Sequence, residues 1–132
     1  DDPINLFVAK FLGTPPISVF EGEVKSEKLY IGEDVVLDVK GVADQRVYIG
    51  IRPEGYILKE DGPLCCKLNR VEVMGRDISV VSTNERCEAV TIRSIISAEN
   101  QVDLSKEYVR FSLKPNKVHI FNKETEERIY FE

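Results

Sequence analysis

RVYIGIRPEG, residues Arg46 to Gly55, decides the fold class. Alternation from Arg46 to Arg52 puts Val47, Ile49 and Ile51 on one side and Tyr48 on the other, the period-two pattern of a half-buried strand. Pro53 has no N–H and forces Arg52 into an extended conformation, so the ladder stops or becomes an edge there. Arg52 and Glu54 flank the proline, placed to pair with each other or with groups across a turn. Left on the surface, such an ion pair is worth about 0 to 1 kcal/mol.

The same texture extends outward. Asp34 to Val39 puts Val35, Leu37 and Val39 on one side. Lys67 to Met74 and Ile78 to Thr83 flank Gly75-Arg76-Asp77, a hairpin or bulge. Arg86 to Arg93, Tyr108 to Leu113, Val118 to Phe121 and Arg128 to Phe131 complete the set. Short strands at this spacing predict a mainly β domain, a closed barrel or sandwich of antiparallel strands. One N-terminal α-helix precedes it: Asp2 caps, Pro3 fits the first helical position, and Gly13 with Pro15 and Pro16 ends it. Ile4, Phe7, Val8, Phe11 and Leu12 form its apolar face.

At 132 residues and 15.0 kDa the chain fits one domain. Its 42% hydrophobic and 31% charged residues are those of a globular protein rather than a disordered tail. No apolar run approaches the roughly 18 residues of a membrane span, and no signal peptide is visible. The chain does not begin with Met, which suggests a processed or truncated product. Net charge is −5, with 12 acids against 7 bases in residues 1–66 and 11 of each in residues 67–132. That balance lacks the basic stripe of a nucleic-acid binder. Cys65, Cys66 and Cys87 are an odd set with an adjacent pair, read as reduced thiols of a cytosolic protein. A single His and no C-x-x-C spacing argue against a metal site.

Motifs for chemistry are missing. The sequence has no G-x-x-x-x-G-K-[ST], no G-x-G-x-x-G and no G-x-S-x-G. His119 has no accompanying nucleophile motif and reads as a strand histidine sharing a face with Phe121. Cys65-Cys66 reads as packing at a strand start. Glu21, Glu23, Glu27 and Glu33 sit in turn-like polar stretches and read as solvated surface.

Gly50-Ile-Arg-Pro-Glu54 resembles the "GIRPE" signature in the C-terminal region of ATP-binding subunits of sugar-type ABC importers, the maltose, multiple-sugar and glycerol-phosphate class. Four further stretches agree in order. Pro3 to Ala9 with Phe11 to Pro15 resembles the helix and turn leading out of the ATPase domain. Val71 to Asp77 resembles the "E-x-LG-x-E" hairpin. Phe111 to Pro115, and Val118 to Phe121 with Thr125, Arg128 and Ile129, resemble the closing segment. Pro16-Ile-Ser18, Gly55, Asn122 and Glu126 depart from the usual pattern, which bears on subfamily and transported solute rather than on fold.

The resemblance implies a linker helix and turn over residues 1–16, from an ATPase domain outside this chain. It implies a transport-associated OB-like (TOBE) regulatory domain over residues 17–132. Such a domain does no chemistry: ATP and Mg belong to the ATPase domain, and this part has no cofactor. The implied partners are a second copy of the subunit, its own ATPase domain, the transporter membrane subunits and a regulatory protein, with no nucleic acid. The implied location is cytoplasmic, peripheral to the inner face of the membrane. Arg52, Pro53, Glu54, Glu72, Gly75, His119 and Phe121 are the motif and interface candidates, Arg52 and Glu54 fixing a turn and Glu72 with Gly75 shaping the hairpin.

Two other classes stay open on the residues. An oxyanion or sugar binder would use Ser79, Ser82 and Thr83 near the hairpin. A single-stranded nucleic-acid binder would stack bases on Tyr30, Tyr48, Tyr56 and Tyr108, against the acidic balance.

Overall fold

A computed structural model describes residues 17–87 and 91–131. The expected helix over residues 1–16 lies outside them. Among the described residues, eleven strands run in order: β1 (Ser18–Lys25), β2 (Lys28–Ile31), β3 (Asp34–Asp38), β4 (Gln45–Ile51), β5 (Tyr56–Leu58), β6 (Leu64–Met74), β7 (Asp77–Thr83), β8 (Ile92–Ser97), β9 (Tyr108–Leu113), β10 (Val118–Asn122) and β11 (Arg128–Ile129). Two 3₁₀ turns, Pro53–Gly55 and Pro115–Lys117, interrupt them.

Every pairing among these strands is antiparallel. One sheet has the order β11-β10-β4-β1-β2-β3, the other β5-β9-β6-β7-β8. In the second, β8 packs against β5 and the Pro53–Gly55 turn, so the sheet nearly closes into a barrel. One core spans both sheets, filled by Phe20, Ile49, Ile51, Leu64, Phe111 and Ile120 among others. Tyr56 meets Phe111 edge-on at 5.2 Å between ring centroids.

The decisive stretch behaves as its alternation predicts: Val47, Ile49 and Ile51 are fully buried on β4. Tyr48 faces the other side, where it packs against Ile17, Val19 and Phe121 in a second apolar cluster.

Three expectations need correction. Glu21 and Glu23 do not lie in a turn. They sit on β1, paired along its length with β4. The inward positions of β1 are Phe20, Gly22 and Val24, and the central glycine breaks the apolar alternation. A Cβ on Gly22 would collide with the Tyr30 carbonyl oxygen and the Ile49 side chain, so only glycine fits.

On β3 the buried residue is Val36, with Val35 and Leu37 only half-buried. Leu29 pairs with Leu37 and Tyr30 with Val35, which leaves Val36 as the extra residue of a β-bulge and turns it inward. Of the expected strand Arg86 to Arg93, the described residues show an isolated bridge, Phe20 to Cys87, and the start of β8 at Ile92, while residues 88–90 lie outside them.

The tight turns explain the hairpins. Gly75 (φ 72°) and Gly32 (φ 66°) each occupy the first position of a two-residue loop, the glycine-first pattern of type II′ turns. Between β1 and β2 both loop residues, Ser26 (φ 52°) and Glu27 (φ 59°), are left-handed without being glycine. Asp44 accepts a hydrogen bond from the Ser26 amide at 2.9 Å and helps hold this loop.

Candidate functional site

The Arg-Pro-Glu stretch forms a corner built by two chain segments. Arg52 (φ −70°, ψ 149°) is extended, as a residue before proline must be. Pro53 opens the 3₁₀ turn, which closes when the Gly55 amide donates to the Arg52 carbonyl at 2.8 Å. The second turn, Pro115–Lys117, lies alongside. The Arg52 amide donates to the Lys117 carbonyl at 3.1 Å, and the Lys114 amide donates to the Gly55 carbonyl at 2.8 Å. A Cβ on Gly55 would come within 2.9 Å of Lys117 Cβ, so the close approach needs glycine.

The side chains of the motif also reach across this junction. Arg52 Nε donates to His119 Nε2 at 3.2 Å. His119 is buried on β10, and accepting at Nε2 leaves its own proton on Nδ1. Glu54 pairs with Lys117 at 3.8 Å, both half-exposed, which is worth about 0 to 1 kcal/mol. Arg52 and Glu54 therefore pin the corner to the segment leading into β10. His119 and Phe121 share the outer face of β10, while Val118 and Ile120 fill the main core, as the alternation predicts.

Glu72 and Gly75 form a second, separate group on the β6–β7 hairpin. Glu72 accepts from Arg70 Nε at 2.9 Å and from Arg93 Nη1 at 2.8 Å. These bonds, Arg93 first and Arg70 next, hold its carboxyl below the ordinary carboxylate value. The carboxylate ties β6 to β8 across β7, where Arg93 also approaches the Ser79 hydroxyl at 3.4 Å. Gly75 supplies the turn.

A comparable tie sits on the six-stranded sheet. Lys123 Nζ donates to Glu21 at 2.7 Å, joining the turn after β10 to β1. That hydrogen bond is the main reason the Glu21 carboxyl titrates below its ordinary value, with Arg86 and Arg46 adding to it.

Two open clefts of about 640 and 730 Å³ meet at Cys65 and Tyr108. Both mix cations with carboxylates: Lys67 and Arg86 with Glu33, Asp34 and Glu85 in one, Lys59, Lys106 and Arg110 with Glu60, Asp103 and Glu107 in the other. The adjacent thiols split as strand neighbours must. Cys66 is buried in the core, where burial pushes its pKa up to about 12, while Cys65 is half-buried beside the clefts. Among the described residues, no group of three His, Cys, Asp or Glu is arranged to hold a metal ion, and no helix is long and apolar enough to cross a membrane.

The alternative sites do not assemble. Ser79 and Ser82 are both buried but point to opposite faces of β7, and Thr83 is half-buried at the edge of the smaller cleft. Tyr56 is in the core and Tyr48 packs beside Phe121, leaving Tyr108 exposed on one sheet and Tyr30 half-buried on the other. No shared stacking face results.

Almost the whole chain aligns with ATP-binding subunits of importers. It is 26% identical over 135 residues to the sn-glycerol-3-phosphate import ATP-binding protein UgpC of Ruegeria sp. (strain TM1040), covering 98% of this chain and 36% of that protein. It is 30% identical over 144 residues to the oligosaccharides import ATP-binding protein MsmX of Bacillus subtilis (strain 168), covering 96% of this chain and 38% of that protein. It is 28% identical over 134 residues to the putative ABC transporter ATP-binding protein MG187 of Mycoplasma genitalium, covering 96% of this chain and 21% of that protein. The chain is homologous to the C-terminal region of sugar-type ABC importer ATP-binding subunits. It spans little more than a third of the length of the first two of these relatives. No family model matches it.

The corner is signalled in the sequence by Arg52, Pro53 and Glu54. Its other half, Lys114 to Lys117, escapes a reading of the sequence. The only local signal there is Lys114-Pro115, which marks a chain turn without naming its partner. Arg93, which completes the Glu72 tie, carries no signal because the alternation misplaces its strand.

Proposed function

We propose that this chain is the non-catalytic regulatory and dimerisation domain of an ABC sugar-importer ATPase subunit, separate from the nucleotide-binding domain. The observation that carries the reading is the alignment: 98% of this chain against 36% of a relative whose name includes ATP binding. The sequence itself has no phosphate-cradling loop, so ATP hydrolysis is assigned to another part of the subunit. A contact between two copies that persists through the transport cycle raises the effective concentration of the opposing ATPase halves. The rigid two-sheet body, cross-tied at Arg52–His119, Glu72–Arg93 and Glu21–Lys123, suits a scaffold that transmits rather than performs chemistry. In this reading Arg52, Pro53, Glu54, Glu72 and Gly75 keep the shape of the surfaces presented to partner copies, membrane subunits or a regulatory protein. The working location is the cytoplasmic face of the membrane.

Immunoblotting of source-cell lysate with an antibody against this domain tests the reading. A band much larger than 15.0 kDa that co-fractionates with membranes is expected. A soluble band at the size of this chain would refute the assignment.

One observation favours a second reading as a small-ligand binder: the two clefts that meet at exposed Tyr108 have the volume of ligand sites. Calorimetric titration with molybdate, sulfate and sugars separates the two, since a regulatory scaffold gives no heat with any of them.

A further inference from the structure

Of the six large apolar side chains that stand exposed among the described residues, three gather at β9. Tyr108 opens that strand at 54% exposure, and Leu104 stands at 69% in the loop just before it. Ile57 on β5 lies opposite Ser112 of β9. Tyr108, Arg110 and Ser112 alternate with the buried Val109, Phe111 and Leu113, so Ile57 and Tyr108 share the outer face of this sheet. The clefts of about 640 and 730 Å³ flank Tyr108 there.

The charges around this apolar centre are unspent. Lys67 and Glu85 line one cleft, Lys59, Glu60, Lys106 and Glu107 the other, and all six are exposed. Among the described residues, none of these six side chains forms a hydrogen bond or an ion pair. Elsewhere on the surface, opposite charges close on each other: Lys123 on Glu21 at 2.7 Å, Arg93 on Glu72 at 2.8 Å and Lys28 on Asp38 at 3.0 Å.

We propose that this face is where a second copy of the chain docks, an inference that rests on the dimerisation proposed above. Two identical chains related by a two-fold axis set one patch against itself, so the patch must carry knobs beside holes and cations beside carboxylates. This face carries both. Tyr108 and Leu104 project next to the clefts, and each cleft holds unpaired groups of both signs. The exposed aromatic and aliphatic side chains form the centre of the contact, and the charges around them fix its register. A partner of one sign, such as a nucleic acid, would meet like charges in both clefts, whereas a second copy brings the opposite charge to each.

Sedimentation equilibrium of the whole chain and of two triple variants tests this. One variant reverses the cations (Lys59→Glu, Lys67→Glu and Lys106→Glu), the other the carboxylates (Glu60→Lys, Glu85→Lys and Glu107→Lys). The parent is expected to dimerise, each variant alone to self-associate at least about 10-fold more weakly, and their equimolar mixture to regain a dimer as tight as the parent's. A parent dimer that both variants match in affinity overturns the proposal and leaves dimerisation standing, with the clefts open to a small ligand instead. A mixture no tighter than its components overturns it as well. A parent that stays monomeric at about 1 mM, alone and joined to its ATPase domain, overturns the proposal together with the dimerisation it rests on. Should a triple variant not fold, Leu104→Glu replaces it, and a dimer as tight as the parent's then overturns the proposal.

Discussion

Replacing Gly22 with alanine probes whether β1 is a tightly held inner strand. The added Cβ would collide with the Tyr30 carbonyl oxygen on β2 and with the Ile49 side chain on β4. Ile49 has rotamers to try, but the carbonyl belongs to backbone. Moving it disturbs the ladder in which Glu23 pairs with Tyr30, Val24 with Leu29 and Lys25 with Lys28. Forcing a group into a packed site costs about 1 to 3 kcal/mol, and a backbone clash belongs at the upper end. Loss of glycine freedom in the unfolded chain offsets about 0.4 to 1 kcal/mol. The net expectation is a destabilisation of about 2 kcal/mol, or roughly 6 to 10 °C in melting temperature for a domain of this size. Urea denaturation with unchanged m-value is the assay. Gly41→Ala is the control: Gly41 has φ 86° but nothing within 4 Å of the place its new methyl would take, so only backbone strain of about 1 kcal/mol applies. A Gly22→Ala variant that loses less than Gly41→Ala would refute the packing argument.

Four further outcomes follow from named contacts. Arg52→Ala leaves the buried His119 acceptor without this donor and is expected to cost about 1 to 3 kcal/mol in urea melts; an effect under a few tenths would mean the bond is not stabilising. Ser26→Asn places a residue tolerant of left-handed backbone in the β1–β2 turn and is expected to stabilise by about 0.5 to 1 kcal/mol, read as a higher urea midpoint. Glu72 has a folded pKa below its unfolded value, so its contribution is present above the ordinary carboxylate range and is lost as pH falls through the lowered value; the gap between parent and Glu72→Gln should close on acidification, and a gap that widens would contradict the tie to Arg93 and Arg70. Cys66, buried with a pKa of about 12, should react with thiol reagents at pH 8 much more slowly than half-buried Cys65, as peptide mapping after timed labelling would show.

What the sequence disclosed depended on whether an inward row was unbroken. Val47, Ile49 and Ile51 make such a row, and β4 was legible from it. On β1 the row is Phe20, Gly22 and Val24, and the glycine demanded by Tyr30 and Ile49 erases the signal. The β1–β2 hairpin was hidden for a related reason, because its left-handed turn is made by Ser26 and Glu27 instead of Asn-Gly or Gly-Gly. In Val35-Val36-Leu37 every residue is apolar, so alternation cannot choose a face. The bulge opposite Leu29 and Tyr30 chooses it, and that is a property of the pairing. The corner divides in the same way. Its local half follows from Arg52-Pro53-Glu54, whereas the Arg52–His119 bond joins residues 67 positions apart, a distance no local pattern spans.

Sedimentation equilibrium of the chain, from about 1 µM to about 1 mM, tests the central claim most directly by bracketing the range of weak to moderate self-association. A regulatory domain that holds two importer ATPase subunits together is predicted to pass from monomer to a discrete dimer within that range. A strict monomer at the highest concentration, and again when joined to its ATPase domain, would contradict the account.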